Sequence, residues 1–255
     1  METPTEVPRR GFRSLTTRLI VWTLLAVGGV YAVAVVVSNT LSRRMALAAA
    51  EREAVNETDA AAGRITDVLH SVEERTRVLA DVVQALDPAE GDLERLLADF
   101  VRGHPQVFGA AVAFEAGERG DGRLARYRHR VPDRPEELAA ADLGAGGVRF
   151  WEKEWYATPL RTGEPGWSEP YWDEGGGEVN MVTWSVPLAT PDGTVRGVVT
   201  ADLRLRWLDG LVRQVELGRS GVALIVSRSQ RVIAASDRGE QEAIDPAERV
   251  LGGVA

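Results

Sequence analysis

The sequence predicts an α+β chain in which a membrane helix leads into a long amphipathic helix and then into an antiparallel sheet. Three observations predict it. Residues 19–37 are apolar and free of charge, residues 38–86 space their apolar side chains by three and four, and beyond residue 107 the period changes to two. There is no strand–helix–strand rhythm and no repeat of solenoid length, so a parallel sheet and a repeat array are both excluded.

Residues 19–37 read LIVWTLLAVGGVYAVAVVV, nineteen positions without an ionisable group. At about 1.5 Å per residue they cover roughly 28 Å, close to the hydrocarbon thickness of a bilayer. Arg9, Arg10, Arg13 and Arg18 precede the run, so the positive-inside bias keeps residues 1–18 in the cytoplasm and places everything after Val37 outside. Trp22 and Tyr31 stand near its two ends, as interfacial aromatics do. A cleaved leader ending at Ala32-Val33-Ala34 is the competing reading. The run is long for a leader and continues past that point to Val37, which favours an anchor.

The next segment, residues 38–88, lacks proline until Pro88 and has Gly63 as its only glycine. Ile65, Val68, Leu69, Val72, Leu79, Val82, Val83 and Leu86 form the stripe of one helix face. Arg75 interrupts that stripe where a coiled coil would place an apolar residue. A long helix leaving a membrane span suits both homodimer formation and the transmission of a displacement. A stripe that merely packs on a sheet would look the same. Asp87-Pro88 ends the helix, and Asp92 is expected to cap a short helix carrying Leu93, Leu96, Leu97, Phe100 and Val101.

Strands are expected over residues 107–114 and 123–131, with no structure forced on the proline-, glycine- and acid-rich residues 132–147. A short helix or turn follows over residues 151–162. Residues 179–189 alternate, with Val182, Trp184, Val186 and Leu188 on one face. Pro191-Asp192-Gly193 is a turn signal, and residues 195–204 form its partner strand. Residues 207–215 return to helical spacing. Residues 222–226 and 232–235 form a second hairpin around Arg228-Ser229-Gln230.

Composition excludes several functions. The chain has 255 residues, 30 basic and 38 acidic groups and a net charge of −8, the opposite of a nucleic-acid-binding footprint. Residues 1–18 hold four basic and two acidic groups, so the outward part is more acidic still, at −10. With no cysteine there is no disulfide, thiol nucleophile or iron–sulfur site. His70, His104 and His129 lie far apart in different elements, which offers no metal constellation. No nucleophile elbow, phosphate loop or dinucleotide fingerprint occurs, so neither an enzyme nor a cofactor is expected. Gly175-Gly176-Gly177 precedes a strand and reads as a hairpin turn.

The densest chemistry lies over residues 151–172, which hold six aromatics in a chain that is 6% aromatic overall. Aromatics interleaved with carboxylates and one lysine, Lys153, are the materials of a small-molecule pocket. Aromatic clustering more often marks a core. Asp202 sits among Val198, Val199, Ala201 and Leu203, where a buried carboxylate would want a cation. A solvent-facing strand end, or a cap for the next helix, is the alternative for it.

The stretch WEKEWYATPLRTGEPGWSEPYWDEGGGEVNMVTWSVPL, with PDGTVRGVVTADLRL after it, resembles the double Cache sensor domains of bacterial transmembrane receptors. It looks most like those preceding PP2C/SpoIIE-type phosphatases. The resemblance covers residues 38–235 and implies a long helix, a membrane-distal PAS-like module over residues 89–215 and the start of a membrane-proximal one over residues 216–255. It implies an extracytoplasmic small-molecule sensor, with a phosphatase or kinase as output elsewhere in the intact gene product. The chain ends inside the second module, which reads as a truncated product or a fragment.

Amino-acid-binding members carry an Arg-x-Trp-Tyr element, then a tyrosine, then a strand-end aspartate. Lys153, Trp155 and Tyr156 occupy the first element here, and Tyr171 and Asp202 the others. The resemblance implies that the first three hold a ligand carboxylate and the last two its ammonium. Lysine in place of arginine gives up bidentate carboxylate geometry, and Glu152 and Glu154 flank it. An amino acid, an amine and a small carboxylate therefore all stay open. So does a membrane-anchored dimerisation protein with no small ligand.

Overall fold

The computed structural model describes residues 15–120, 122–145, 148–190, 192–213 and 222–235. Two compact units divide the chain, one up to Glu53 and one from Ala54. A single helix, α1 (Leu15–Leu86), continues through both. Its apolar run over residues 19–37 is exposed throughout, and α1 is the one helix among the described residues long and apolar enough to cross a membrane. The expected tail falls mostly outside the described residues, as does much of the proposed 216–255 module.

In the second unit, α2 (Glu90–Gly103) is followed by three strands, β1 (Gly109–Phe114), β2 (Leu124–Val131) and β3 (Arg134–Asp142). A 3-10 turn at Phe150–Glu152 leads into α3 (Glu154–Thr162). Then come β4 (Gly166–Trp167), β5 (Tyr171–Trp172), β6 (Asn180–Ala189) and β7 (Val195–Arg204). Helix α4 (Arg206–Arg213) and the hairpin β8 (Leu224–Val226) and β9 (Val232–Ala235) complete the described chain.

Strands β1 to β7 form one antiparallel sheet in the order β3-β2-β1-β7-β6-β4, with β5 also pairing β6. The period-two alternation divides its side chains between two layers. Ala110, Val112, Phe114, Val199, Ala201 and Leu203 face the apolar stripes of α1 and α2, where Val72, Leu79, Val83, Leu93 and Leu97 are buried. Ala111, Ala113, Ala125, Tyr127 and Val198 face Phe150, Trp155 and Tyr156. The stripe read on residues 38–88 thus packs on the sheet, as an amphipathic helix must bury its apolar face.

Arginines on β2 hold α2 in place. Arg126 pairs with Glu90, Glu94 and Asp142, and Arg128 reaches Glu94 at 2.5 Å. Arg130 donates to the carbonyl oxygens of Val101 (2.5 Å), in the last turn of α2, and Val107 (3.0 Å), just before β1.

Two local expectations need correction. The α2 N-cap is Ala89, with no side-chain cap, and Asp92 lies in the first turn, where it pairs with Arg95. An acid in that turn still meets the positive end of the helix dipole. Residues 132–147, expected to be irregular, contain β3. It is an edge strand with little burial, so it carries no apolar alternation, and Pro135 is tolerated there.

Candidate functional site

The register of the sheet sets four residues side by side near one end. His129 on β2 opposes Gly109 on β1, Gly109 opposes Asp202 on β7, and Asp202 opposes Thr183 on β6. A Cβ on Gly109 would overlap the Tyr127 ring. The bare glycine is what lets that phenol lean across the row. His129 stacks on Tyr127 with ring centroids 5.0 Å apart.

Asp202 is 4% exposed. Thr183 Oγ1 donates to its Oδ1 at 2.7 Å, and the Tyr171 hydroxyl donates in turn to Thr183 Oγ1 at 2.8 Å. Thr183 is fixed from behind, since its N–H donates to Ser168 Oγ at 3.0 Å and its carbonyl accepts from the Ser168 N–H at 2.9 Å. The expectation of a solvent-facing or helix-capping Asp202 does not fit this burial.

A second carboxylate joins it. Asp173 leaves β5 two residues after Tyr171 and so shares its face. It is 8% exposed and accepts the Gly177 N–H at 2.5 Å. The Gly175-Gly176-Gly177 segment is the turn between β5 and β6, and one of its amides holds this carboxylate. Gly177 is close-packed, because a Cβ there would overlap the Phe108 ring. Phe108, Val179 and Met181 form an apolar patch against Tyr171.

Burial of Asp202 pushes its carboxyl up to about 8, and the neighbouring charge of Asp173 adds to the effect while the bond from Thr183 opposes it. Burial also raises Asp173, to about 6, against the Gly177 hydrogen bond and the charge of Lys153. The two titrate as a coupled pair. Burial likewise holds the Tyr127 and Tyr171 phenols well above the usual range, with both aspartates contributing. Tyr127 is 3% exposed, and its hydroxyl lies beside both carboxylates, lowering the pKa of each.

Among the described residues no basic side chain forms an ion pair with Asp202 or Asp173. Lys153 Nζ lies 3.6 Å from Glu174 and is 39% exposed. The cluster thus presents two carboxylates, three hydroxyls and one distant cation. Such a set suits a positively charged or hydrogen-bond-donating group. Among the described residues no group of three His, Asp or Glu side chains could hold a metal ion.

Of the five residues named from the sequence, Tyr171 and Asp202 are brought together through Thr183, and Lys153 stands at the margin. Trp155 is buried in the α3 layer, stacked on Phe150 at 6.1 Å and edge-on to Tyr156 at 5.8 Å. Tyr156 is fully buried, but its hydroxyl donates to Glu115 Oε1 at 2.7 Å, and Arg123 holds the same carboxylate at 3.1 Å. Glu115 follows the far end of β1, six steps from Gly109, which is about 20 Å along a strand. That hydroxyl is therefore committed at the other end of the sheet from Asp202. Sequence reasoning passed over Tyr127, Asp173 and Thr183. Their signal was parity, since each lies two residues along a strand from another residue of the cluster.

Several solved structures resemble this one. The extracellular domain assigned to the histidine kinase soHK1S-Z6 superposes with a TM-score of 0.58 at 25% identity, over 76% of this chain and 69% of that one. A structure described as methyl-accepting chemotaxis protein X gives 0.62 at 20% identity, over 77% and 75%. The ligand-binding domain of the Campylobacter jejuni chemoreceptor Tlp3, in complex with L-valine, gives 0.54 at 18% identity, over 76% of each chain. No curated protein sequence matches this one. These likenesses are to sensor domains of receptors, not to catalytic domains. Over residues 93–209 the chain matches the family described as methyl-accepting chemotaxis protein-like, first PDC sensor domain.

Proposed function

We propose that this chain is the extracytoplasmic sensing part of a membrane receptor, anchored by residues 19–37 with its N-terminus inside, and that it binds a small molecule in the enclosure of Asp202, Asp173, Tyr127 and Tyr171. One observation carries the reading. Two carboxylates buried together, with no ion-paired cation among the described residues, are costly unless a proton or a bound cation offsets their charge. The match to a receptor sensor family over residues 93–209 supports it, as does the small-molecule complex of Tlp3. Asp202 and Tyr171 then hold the donor group of an amino acid, an amine or another small metabolite. Lys153 stands near for an anionic end, while Trp155 and Tyr156 form the wall behind. Modules over residues 89–215 and 216–255, and a phosphatase or kinase output, complete the proposed receptor.

Isothermal titration of the full chain in detergent against amino acids, amines and organic acids tests the reading. Saturable binding that Asp202→Ala abolishes is expected. A folded protein silent to the whole panel would overturn it.

A second reading has one observation in its favour. Trp155 is 7% exposed and fills the α3 layer itself, as an ectodomain without a ligand would require. In that case the open groove between α1 and α2, lined by His70, Glu74, Val78, Val82 and Phe100, is the working surface and a second copy of the chain its occupant. Homodimer formation through α1 is proposed under both readings. The cysteine-free sequence makes a single Val78→Cys variant a clean crosslinking probe.

A further inference from the structure

We propose that Asp202 and Asp173 together retain a proton in the empty site and release it when an ammonium ligand enters, so that the receptor selects net-positive amines over zwitterions and binds them more tightly as pH rises. The proposal rests on the ligand reading above and gives it a chemical class and a regulation.

Charge balance is the first support. The carboxylates of Asp202 and Asp173 are 4% and 8% exposed, and the Tyr127 phenol lies beside both. Two negative charges buried so close together ionise jointly only at a cost, which a proton or a cation removes. Among the described residues no group around them forms an ion pair with either. Thr183 from β6, Tyr171 from β5 and Tyr127 from β2 are neutral. His129 stacks on Tyr127, and burial lowers its pKa, so near neutrality it brings no positive charge. Arg204, on the same strand face as Asp202, is turned to the Pro132 carbonyl and lies over the Phe108 ring. Glu178 adds negative charge at Asp173, and Lys153 opposes it from beside Glu174.

Selection follows from the same inventory. A ligand ammonium meets two carboxylates and two phenols. A ligand carboxylate would find one lysine, already shared with Glu174 and flanked by Glu152 and Glu154. An α-carboxylate is therefore poorly accommodated. The exchange balances simply, because the ammonium enters with its own protons and the carboxyl O–H bond breaks to release one proton to water. With Asp173 raised to about 6 and Asp202 to about 8, the pair gains charge through pH 6 to 8, and amine affinity rises across that window.

Two measurements on the full chain in nanodiscs test this. The first uses no ligand. Infrared difference spectra should show a protonated carboxyl band persisting at pH 7, lost or reduced in Asp202→Asn and in Asp173→Asn, either folded variant sufficing. Absence of that band in the wild type overturns the proposal. The second compares isobutylamine with L-valine, putrescine with L-ornithine and ethanolamine with L-serine by calorimetry from pH 6 to 8. An amine that binds at least tenfold tighter than its amino acid, and gains up to about tenfold per pH unit with proton release, is the expected result. Binding that is flat with pH, or tighter for the amino acid in every pair, overturns the proposal and leaves the ligand reading standing. Silence from all six at every pH overturns both.

Discussion

The indole N–H of Trp167 donates to Glu73 Oε1 across 2.6 Å, tying the strand beside the site to the long helix. Trp167 also packs on Trp184 at 5.4 Å, and its neighbour Ser168 is bonded to Thr183, which holds Asp202. The Trp167 carbonyl accepts from Arg228 in the β8–β9 hairpin at 3.0 Å. A short series of contacts thus joins Asp202 to both α1 and the second hairpin.

Removing that tie gives the first prediction. Trp167→Phe keeps an aromatic ring beside Trp184 but loses part of its contact and the hydrogen bond to Glu73, costing about 1–2 kcal/mol of stability by thermal unfolding. Ligand affinity should change little. Any ligand-dependent change in crosslinking yield at Val78→Cys should shrink. An unchanged response would remove Trp167 from the coupling route.

Stability should fall as pH rises. A carboxyl raised on folding contributes stability that is complete below its unfolded value, near 3.8, and is lost as pH rises through its folded value. For this protein that means through about 6 for Asp173 and about 8 for Asp202. The unliganded chain should thus melt lower at pH 8 than at pH 5.5, by at most about 1.4 kcal/mol per pH unit for each proton. Asp202→Asn should flatten the dependence. A melting profile of equal slope in both proteins would show that Asp202 titrates normally.

The two tyrosines should separate cleanly. Tyr156→Phe deletes the bond to Glu115 and should cost about 1 kcal/mol of stability while leaving affinity within a factor of two or so. Tyr171→Phe removes the donor that holds Thr183 against Asp202 and should weaken ligand binding by roughly tenfold. If Tyr156→Phe proved the more damaging to affinity, the ligand would sit nearer α3 than the carboxylates do.

Much of the fold was legible because it follows from periodicity. The apolar stripe of α1, the alternation of β6, the strand at β7 and the hairpin around Arg228-Ser229-Gln230 all appear where residue spacing puts them. β3 was not legible, because an edge strand of Glu, Ala and Pro carries no burial pattern. The site was half legible. Tyr171 and Asp202 could be carried over from a family motif. Tyr127 and Asp173 belong to it only through the register that sets His129, Gly109, Asp202 and Thr183 abreast, and register is a property of the assembled sheet. Tyr156 matched the motif, yet Glu115 holds its hydroxyl, a pairing across 41 residues that no local pattern announces.

The most direct measurement is the thermal shift of the wild type and of Asp202→Asn against one panel of amino acids, amines and organic acids. At least one ammonium-bearing compound should raise the melting temperature of the wild type while leaving the folded variant unmoved. An equal rise in both proteins would place the ligand elsewhere and contradict the account.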